Sequence, residues 1–219
     1  MSLTNFFIDR LSYEVATKMI VKHHYLHRAT SCSHAFGLFL NDEEAFFPQL
    51  KGVIIYGTPS SSSLRSGICG QQYKNDVIEL TRLWVDDSVP KNGESFLIGN
   101  TLKLIDKDIV VSFADSAQGH LGKIYQASNW IYTGLSAKRT DWVVEGIDKH
   151  SQTLADKYTA EQIRQLYGDK FSLKERSRKH RYVYFRGNKW RKKELISALQ
   201  YDILPYPKNE NRESYETKI

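Results

Sequence analysis

Two side chains in this sequence are best placed to do acid–base chemistry. Asp115 lies just past a predicted strand at 109–113 (IVVSF), and Tyr125 lies on the helix predicted after it. Ligands of open α/β sheets gather at the carboxyl ends of the strands, so we expect both residues in an active site. Arg82, within the preceding strand, and Ser95, at the opening of a helix, complete the candidate catalytic set.

Each catalytic candidate also has a purely structural alternative. The carboxylate and the serine hydroxyl can cap helices, and the tyrosine can pack in the core with its hydroxyl hydrogen-bonded. Arg82 can form an ion pair with Glu79 or Asp86, because an arginine on a strand is costly to bury alone.

A strand, a polar loop and an amphipathic helix follow one another between residues 77 and 105. The strand pattern covers 77–85, the loop 90–95 reads PKNGES, and helical spacing covers 96–105. Free N–H groups at the amino end of a helix, with a lysine nearby, suit a pyrophosphate. The junction predicts a cofactor site, although many junctions without a ligand look similar. Its candidate residues are Val85, Lys91, Asn92, Gly93, Glu94 and Ser95.

Histidines cluster where the first predicted helix, residues 12–22, ends in the sequence HHYLHR. Imidazoles near a helix carboxyl terminus often serve only the helix dipole and solvent. The alternative is a metal site of mixed nitrogen and oxygen ligands, which suits iron better than zinc. Its candidate ligands are His24, Tyr25, Asp115 and Tyr125.

The basic character of the chain lies in one segment. Residues 174–193 hold ten Lys or Arg and one Glu, a net +9, while the whole chain sums to +6. Basic residues interleaved with Tyr and Trp are typical of a surface that binds a phosphate backbone, although a solvated basic face is the alternative. The predicted DNA-binding residues are Lys138, Arg139, Arg176, Arg178, Lys179, Arg181, Lys189 and Arg191.

The remaining patterns predict one α/β domain over residues 1–207 and a flexible tail at 208–219. Further strands are expected at 35–40, 52–56 and 182–185, a loop at 58–65, and helices at 120–130 and 154–166. No apolar run could span a bilayer and no signal-peptide pattern opens the chain, so we expect a cytoplasmic protein. Cys32 and Cys69 lack metal-binding spacing and are expected to be reduced thiols.

The order strand, loop, helix, strand, helix, with Tyr125 in the last helix, resembles the acyl-CoA-binding half of the GCN5-related N-acetyltransferase superfamily. That resemblance implies a mixed, mostly antiparallel sheet flanked by helices, with acyl-CoA, as acetyl-CoA, held after the central strand. It also implies that Tyr125 protonates the departing thiolate. Here the usual arginine- and glycine-rich loop is reduced to KNGES.

A narrower resemblance covers most of the chain, from Tyr13 to Pro207. The motifs HHYLHR, YGTPSSSSLR, ELTRLWV, SFAD, GHLGKIYQASNWIYTGLSAKRTDW and RKHRYVYF, in this order, resemble the Mom family of bacteriophage DNA-modification proteins. The resemblance implies an enzyme that converts the exocyclic amine of adenine in double-stranded DNA to an acetamido (methylcarbamoyl) group, which blocks host restriction. Simple attack on a thioester would leave an acetyl group instead, so the resemblance makes a redox-active iron worth testing.

A base must leave the duplex stack before its amine can react, which requires aromatic or apolar partners in the pocket. We expect Tyr56, Trp130, Tyr132 and Trp142 in that role. Two other functions stay open from the sequence: a conventional acetyltransferase for a small amine or a protein, and a DNA-binding protein without catalysis. The oligomeric state, monomer or homodimer, also stays open.

Overall fold

A computed structural model describes residues 3–42, 44–147 and 151–208. The predicted tail, beyond Lys208, lies outside these residues. The strands are β1 (Phe6–Arg10), β2 (His34–Leu40), β3 (Gln49–Gly57), β4 (Val77–Val85), β5 (Ile109–Asp115), β6 (Ile131–Leu135), β7 (Arg139–Val144), β8 (Phe171–Arg176) and β9 (Lys179–Phe185). The α-helices are α1 (Tyr13–His23), α2 (Ser62–Cys69), α3 (Gly93–Thr101), α4 (Lys123–Ala127), α5 (Ser151–Ala155), α6 (Ala160–Tyr167) and α7 (Lys189–Ala198).

A seven-stranded sheet forms the centre of the fold, in the order β1-β2-β3-β4-β5-β9-β6. Its neighbouring strands are antiparallel except for β4 and β5, which are parallel. Helices cover the sheet, so the predicted class, a mixed and mostly antiparallel α/β fold, is confirmed. Within the described ranges no helix is long and apolar enough to cross a membrane.

The two parallel strands pair over only three residues. Val77, Ile78 and Glu79 of β4 face Ile109, Val110 and Val111 of β5. Beyond that point each strand keeps only its outer neighbour, since β4 continues along β3 to Val85 and β5 continues along β9 to Asp115. The sheet therefore opens as a V between β4 and β5.

The alternation of side chains along β5 explains how both faces of the sheet are buried. Val110 belongs to the core cluster that holds Leu97 and Ile98 of α3. Ile109 and Val111 point to the opposite cluster, with Ile68 of α2 and Leu195 of α7. Because successive residues of a strand face opposite sides, an uninterrupted apolar run is what a strand with two covered faces requires.

Four predicted elements differ in the structure. Within the expected loop at 58–65, helix α2 begins at Ser62, and Ser61 is its N-cap. The helix expected at 96–105 spans Gly93–Thr101, and the one expected at 154–166 is two helices separated before the N-cap Thr159. The helix expected at 120–130 is reduced to α4, because Gly122 (φ +70°) and Asn129 (φ +58°) adopt left-handed conformations at its two ends. The predicted N-cap of α1, Ser12, is confirmed by its bond to the amide of Val15.

The chain between β6 and β9 forms a hairpin of β7 and β8 together with α5 and α6. It has a small core of its own around Val144, Leu154 and Ile163. Arg176 pairs with Asp141 across the two strands. We call residues 139–176, as far as they are described, the hairpin unit.

Arg191 joins α7 to the starts of the two parallel strands. Its Nε lies 2.8 Å from Asp108, just before β5, and its Nη2 lies 3.1 Å from Asp76, just before β4. A third contact, of 3.1 Å, reaches Glu194 on the same helix. The arginine thus fixes the end of the sheet at which β4 and β5 are paired.

We predict that Arg191→Gln lowers the free energy of unfolding by about 1–2 kcal/mol, because each partly exposed ion pair contributes up to about 1 kcal/mol. Urea denaturation at neutral pH measures the change. The exposed Lys189, on the same helix, provides the control, and Lys189→Gln should leave the stability within about 0.5 kcal/mol. Equal stability of the two variants would contradict the structural role of Arg191.

Candidate active site

The V between β4 and β5 holds a cavity of about 760 Å³, a typical size for a ligand site. Residues 79–85 and 112–114 form its two strand walls. The end of α1 and the turn at 119–122 bound its mouth, and α4 lies beneath. The cavity therefore lies at the carboxyl ends of the parallel strands, where the sequence predicted the chemistry.

Tyr125 lies at the apex of the V with its side chain buried. Its hydroxyl oxygen is 2.8 Å from Ser112 Oγ, which is also 2.9 Å from the carbonyl oxygen of Leu80. Burial raises the pKa of Tyr125 to about 12, and the Ser112 hydrogen bond opposes that shift. The phenol is therefore protonated at neutral pH.

Glu79 and Arg82 line the same cavity from β4. Burial raises the pKa of Glu79, against the charges of Arg82 and Lys179, and burial lowers the pKa of Arg82. Arg82 Nη1 donates to the carbonyl of Thr81, but its buried Nε has no hydrogen-bond partner in the described residues. Among the described residues Arg82 forms no ion pair within 4 Å, so the alternative pairing with Glu79 or Asp86 is absent.

Glu79 is a cavity residue that is absent from the predicted site, although the sequence contains a signal for it. Glu79 stands between the buried Ile78 and Leu80, and a carboxylate between buried apolar residues of a strand indicates a functional or paired position. At the last paired position of β4, opposite Val111, it reaches the apex of the cavity.

The Asp115 carboxylate contacts three neighbouring groups of the protein. Its Oδ1 accepts hydrogen bonds from the amide of Ala117, at 3.0 Å, and from Ser177 Oγ, at 2.9 Å. Its Oδ2 lies 3.6 Å from Lys179 Nζ. The carboxylate caps the short helix after β5 and joins the hairpin unit's exit, at residue 177, to the cavity mouth.

The residues predicted to bind iron do not form a fitting ligand set. His24, Tyr25 and Tyr125 line one cavity, but Asp115 does not line it and contacts Ala117, Ser177 and Lys179 instead. His24 Nδ1 accepts from the amide of Leu26, at 3.2 Å. The described residues contain no group of three or more His, Cys, Asp or Glu that could hold a metal ion. The iron prediction therefore finds no support.

The start of α3 forms the other end of the cavity. Val85 and Glu94 line it, whereas Lys91 and Asn92 are exposed. Asn92 adopts a left-handed conformation (φ +72°), and a Cβ on Gly93 would lie 2.5 Å from Val89 Cγ1. Ser95 Oγ donates to the carbonyl of Asn92 at 3.0 Å, a local bond within the first turn. The loop thus brings the amino end of α3 against the cavity without any side-chain cap.

Three of the four aromatic residues expected to stack on a base lie in the core instead. Tyr56 bonds to Thr101 at 2.8 Å and Tyr132 to His180 Nδ1 at 2.9 Å, and Trp130 is fully buried. Trp142 packs on Phe171 inside the hairpin unit. Their large apolar areas are used to hold the sheet together, so this part of the prediction is wrong. The rings that do line the cavity are those of His23, His24, Tyr25, Trp84, Phe113, His120 and Tyr125.

Most of the predicted DNA-binding side chains are engaged within the protein. The engaged side chains are Arg176 with Asp141, Arg178 with the carbonyls of Leu135 and Ser136, Lys179 with Asp115, Arg181 with Thr133 and the Tyr201 ring, and Arg191 with its three carboxylates. Lys138, Arg139 and Lys189 are exposed. Their exposure leaves these three positions as the stronger candidates for a phosphate backbone.

The splayed mixed sheet, the helix after β4 and the buried tyrosine at the apex define an acetyltransferase-type α/β fold. The chain belongs to the Mom protein family, whose sequence model matches residues 5–208. This confirms the resemblance noted in the motifs.

Known relatives and structures are similar to this chain over most of its length. It is 27% identical over 209 residues to methylcarbamoylase Mom of Escherichia phage Mu, covering 92% of this chain and 83% of that protein. A GNAT-family acetyltransferase from Bacillus cereus superposes with a TM-score of 0.43 and 12% identity, covering 84% of this chain and 99% of that one. An N-acetyltransferase from Staphylococcus aureus gives 0.44 and 11%, over 83% and 99%.

The geometry of the mouth predicts a pH dependence of stability. Burial first, and then the charges of Arg82, His120 and His27, lower the pKa of His24 to about 4 from an ordinary 6.5. Between these values the unfolded chain binds a proton that the folded chain does not, so His24 makes stability fall as pH falls from about 6.5 to about 4. We expect His24→Gln to lose less stability than the wild type between pH 7 and pH 4.5 in urea titrations. Parallel losses would show that His24 is protonated equally well in both states.

Proposed function

We propose that this chain is a transferase that converts the exocyclic amine of adenine in phage DNA to its methylcarbamoyl derivative and so protects that DNA from host restriction. The observation that carries the proposal is the match to the Mom family over residues 5–208, with a relative named methylcarbamoylase. The cavity supports it, because it combines a protonated phenol, a partly buried carboxyl group and an arginine at one apex.

We propose acyl-CoA as the ligand at the α3 end of the cavity. The amides in the first turn of α3, close to Val85 and Glu94, suit a pyrophosphate, and the orphaned Nε of Arg82 calls for an acceptor from a ligand. Acyl-CoA would supply a two-carbon unit, but attack of the amine on its thioester alone would give an acetyl group and free CoA, so the nitrogen of the acetamido group must come from a further donor. This chain's own residues can move protons in the cavity: the Tyr125 phenol can donate one to a thiolate, and Glu79 can accept one from the amine.

Double-stranded DNA is the proposed substrate. Lys138 and Arg139 lie exposed at the base of the hairpin unit, where Arg139 is in register with Arg176. The next residue, Ser177, bonds to Asp115 beside the cavity mouth. Cations at this position can hold the phosphate backbone while a base enters the cavity.

Nucleoside mass spectrometry tests the activity directly. Plasmid DNA from cells that express the wild type should contain an adenosine heavier by an acetamido group, and Tyr125→Phe should reduce its amount at least about tenfold, since a general acid contributes about 10²–10⁴ in rate. Tyr56→Phe is the matched control, because it also removes one buried hydroxyl with one partner but lies outside the cavity lining.

The same experiment separates the alternatives. An acetylated adenine without the added nitrogen would indicate conventional acetyl transfer. Unmodified DNA bound tightly by the protein would indicate a DNA-binding protein without catalysis. Equal loss of product in Tyr125→Phe and Tyr56→Phe would remove Tyr125 from the chemistry.

The DNA contact predicts a change in salt dependence. Replacing Lys138 and Arg139 by Gln should reduce the slope of log K against log salt concentration by about 0.9 for each lost phosphate contact. Lys103→Gln is the control, because this exposed lysine lies beyond the end of α3, away from the helix start at the cavity. Fluorescence anisotropy with duplex DNA measures both slopes. An unchanged slope in the double variant would place the backbone elsewhere.

A further inference from the structure

We propose that the mouth of the cavity is a stacking site for the extruded adenine, with Tyr25 as its platform, His24 behind that ring and His120 at its side. This inference rests on the proposed function and names the place where that function would hold its substrate base. It replaces the buried aromatic residues that the sequence pattern suggested for this role.

Three aromatic rings at the mouth pack against one another. His24 and Tyr25 are stacked, with ring centroids 4.4 Å apart and planes 28° apart. His120 meets Tyr25 edge-on at 5.7 Å and 83°. Tyr25 is 42% exposed, so the stack ends in a ring surface that the protein does not cover. A flat purine can continue such a stack, and offset stacking is the arrangement that aromatic pairs prefer.

Hydrogen bonds hold the platform in place before any ligand binds. α1 ends at His23, and the chain then turns sharply, with His27 in a left-handed conformation (φ +45°). The His27 amide donates to the His24 carbonyl at 2.8 Å, and the His27 ring bonds to the Val21 carbonyl at 2.9 Å. The Leu26 amide donates to His24 Nδ1 at 3.2 Å. A platform fixed in this way loses little entropy on binding.

The platform shares its cavity with the reactive groups. Tyr25, His24 and His120 line the same cavity as Glu79 and Tyr125. Burial raises the pKa of Tyr25, the charge of Asp115 raises it further, and the charge of Arg82 lowers it. A base stacked on Tyr25 would point its exocyclic edge into the V, while α3 closes the other end. The two ends of the cavity thus suit the two substrates.

The other rim aromatics are less suited to a base. His23 and Trp84 stack closely on each other, with centroids 4.3 Å and planes 16° apart, so they already cover each other's faces. Tyr125 is buried at the apex between Trp130 and Tyr182. Phe113 packs against the core cluster on the opposite face of the sheet. Among the described residues the exposed cavity-lining rings are therefore Tyr25 and His120, and Tyr25 has the larger ring.

The test uses the full-length protein and a duplex with one 2-aminopurine at a mismatch, which leaves the stack easily and reports stacking by fluorescence. We expect wild type and Tyr25→Phe to bind this duplex equally well and to quench its fluorescence. Tyr25→Ala should bind it about tenfold more weakly, because stacking of one base is worth about 1–3 kcal/mol by alanine substitution. Affinity for a fully paired duplex should change less than twofold in Tyr25→Ala. Trp190→Ala, which removes an exposed ring on α7, should behave as wild type.

Two results would overturn the inference. Tyr25→Ala could bind and quench as the wild type does, or Tyr25→Phe could lose as much affinity as Tyr25→Ala, which would assign the effect to the hydroxyl and not the ring. Either result together with modified adenine in the mass-spectrometry experiment would reject the stacking site alone. Tyr25-dependent quenching without any modified adenine would reject the proposed function and keep the stacking site.

Discussion

The early separation of β4 and β5 is the constraint on which the rest of the site depends. Two parallel strands that stop pairing after Glu79 and Val111 leave inner backbone groups without a ladder partner. At the apex Ser112 Oγ is near both the Leu80 carbonyl and the Tyr125 hydroxyl. Further along, the inner edges face the cavity, where a ligand can satisfy them. The loss of sheet pairing is thus what creates a polar slot inside an otherwise apolar fold.

The strands around this slot could be predicted from the sequence, but its opening could not. β4 opens with the apolar pair Val77 and Ile78, and β5 opens with Ile109, Val110 and Val111, as strands buried on both faces do. Nothing in either run indicates that pairing ends after three residues. α4 is shorter than the apolar pattern predicts, because Gly122 and Asn129 adopt left-handed conformations at its ends. The ring of Tyr182 also lies where a Cβ on Gly122 would be, 2.4 Å from Tyr182 Cε2. α2 was missed because serines suggested a loop, although Ser61 caps a helix there.

The same limit explains the basic segment and the aromatic residues. The composition of the basic segment gives its charge but not the partners of its side chains. In the structure Arg178 donates to the carbonyl of Ser136, and Arg181 donates to the hydroxyl and carbonyl of Thr133. Arginine presents five donors and is therefore suited to such internal bonding. In the same way Trp130 and Tyr132 were expected at a pocket, yet large aromatic side chains contribute most to stability when buried. Position in the fold, and not residue type, separates structural residues from functional ones here.

An enzyme that modifies a base in DNA must hold the phosphate backbone and the reacting base at a set separation. In this chain the hairpin unit enters after β6 and leaves into β9, so both of its ends are fixed in the central sheet. Arg178 binds the carbonyl of Ser136 across those two ends, and Ser177 binds Asp115 beside the cavity. Hydrogen bonds at both connections restrict the tilt of the unit relative to the V. The role of Asp115 then follows from geometry: it links the exposed cations of the unit to the mouth where the base would enter.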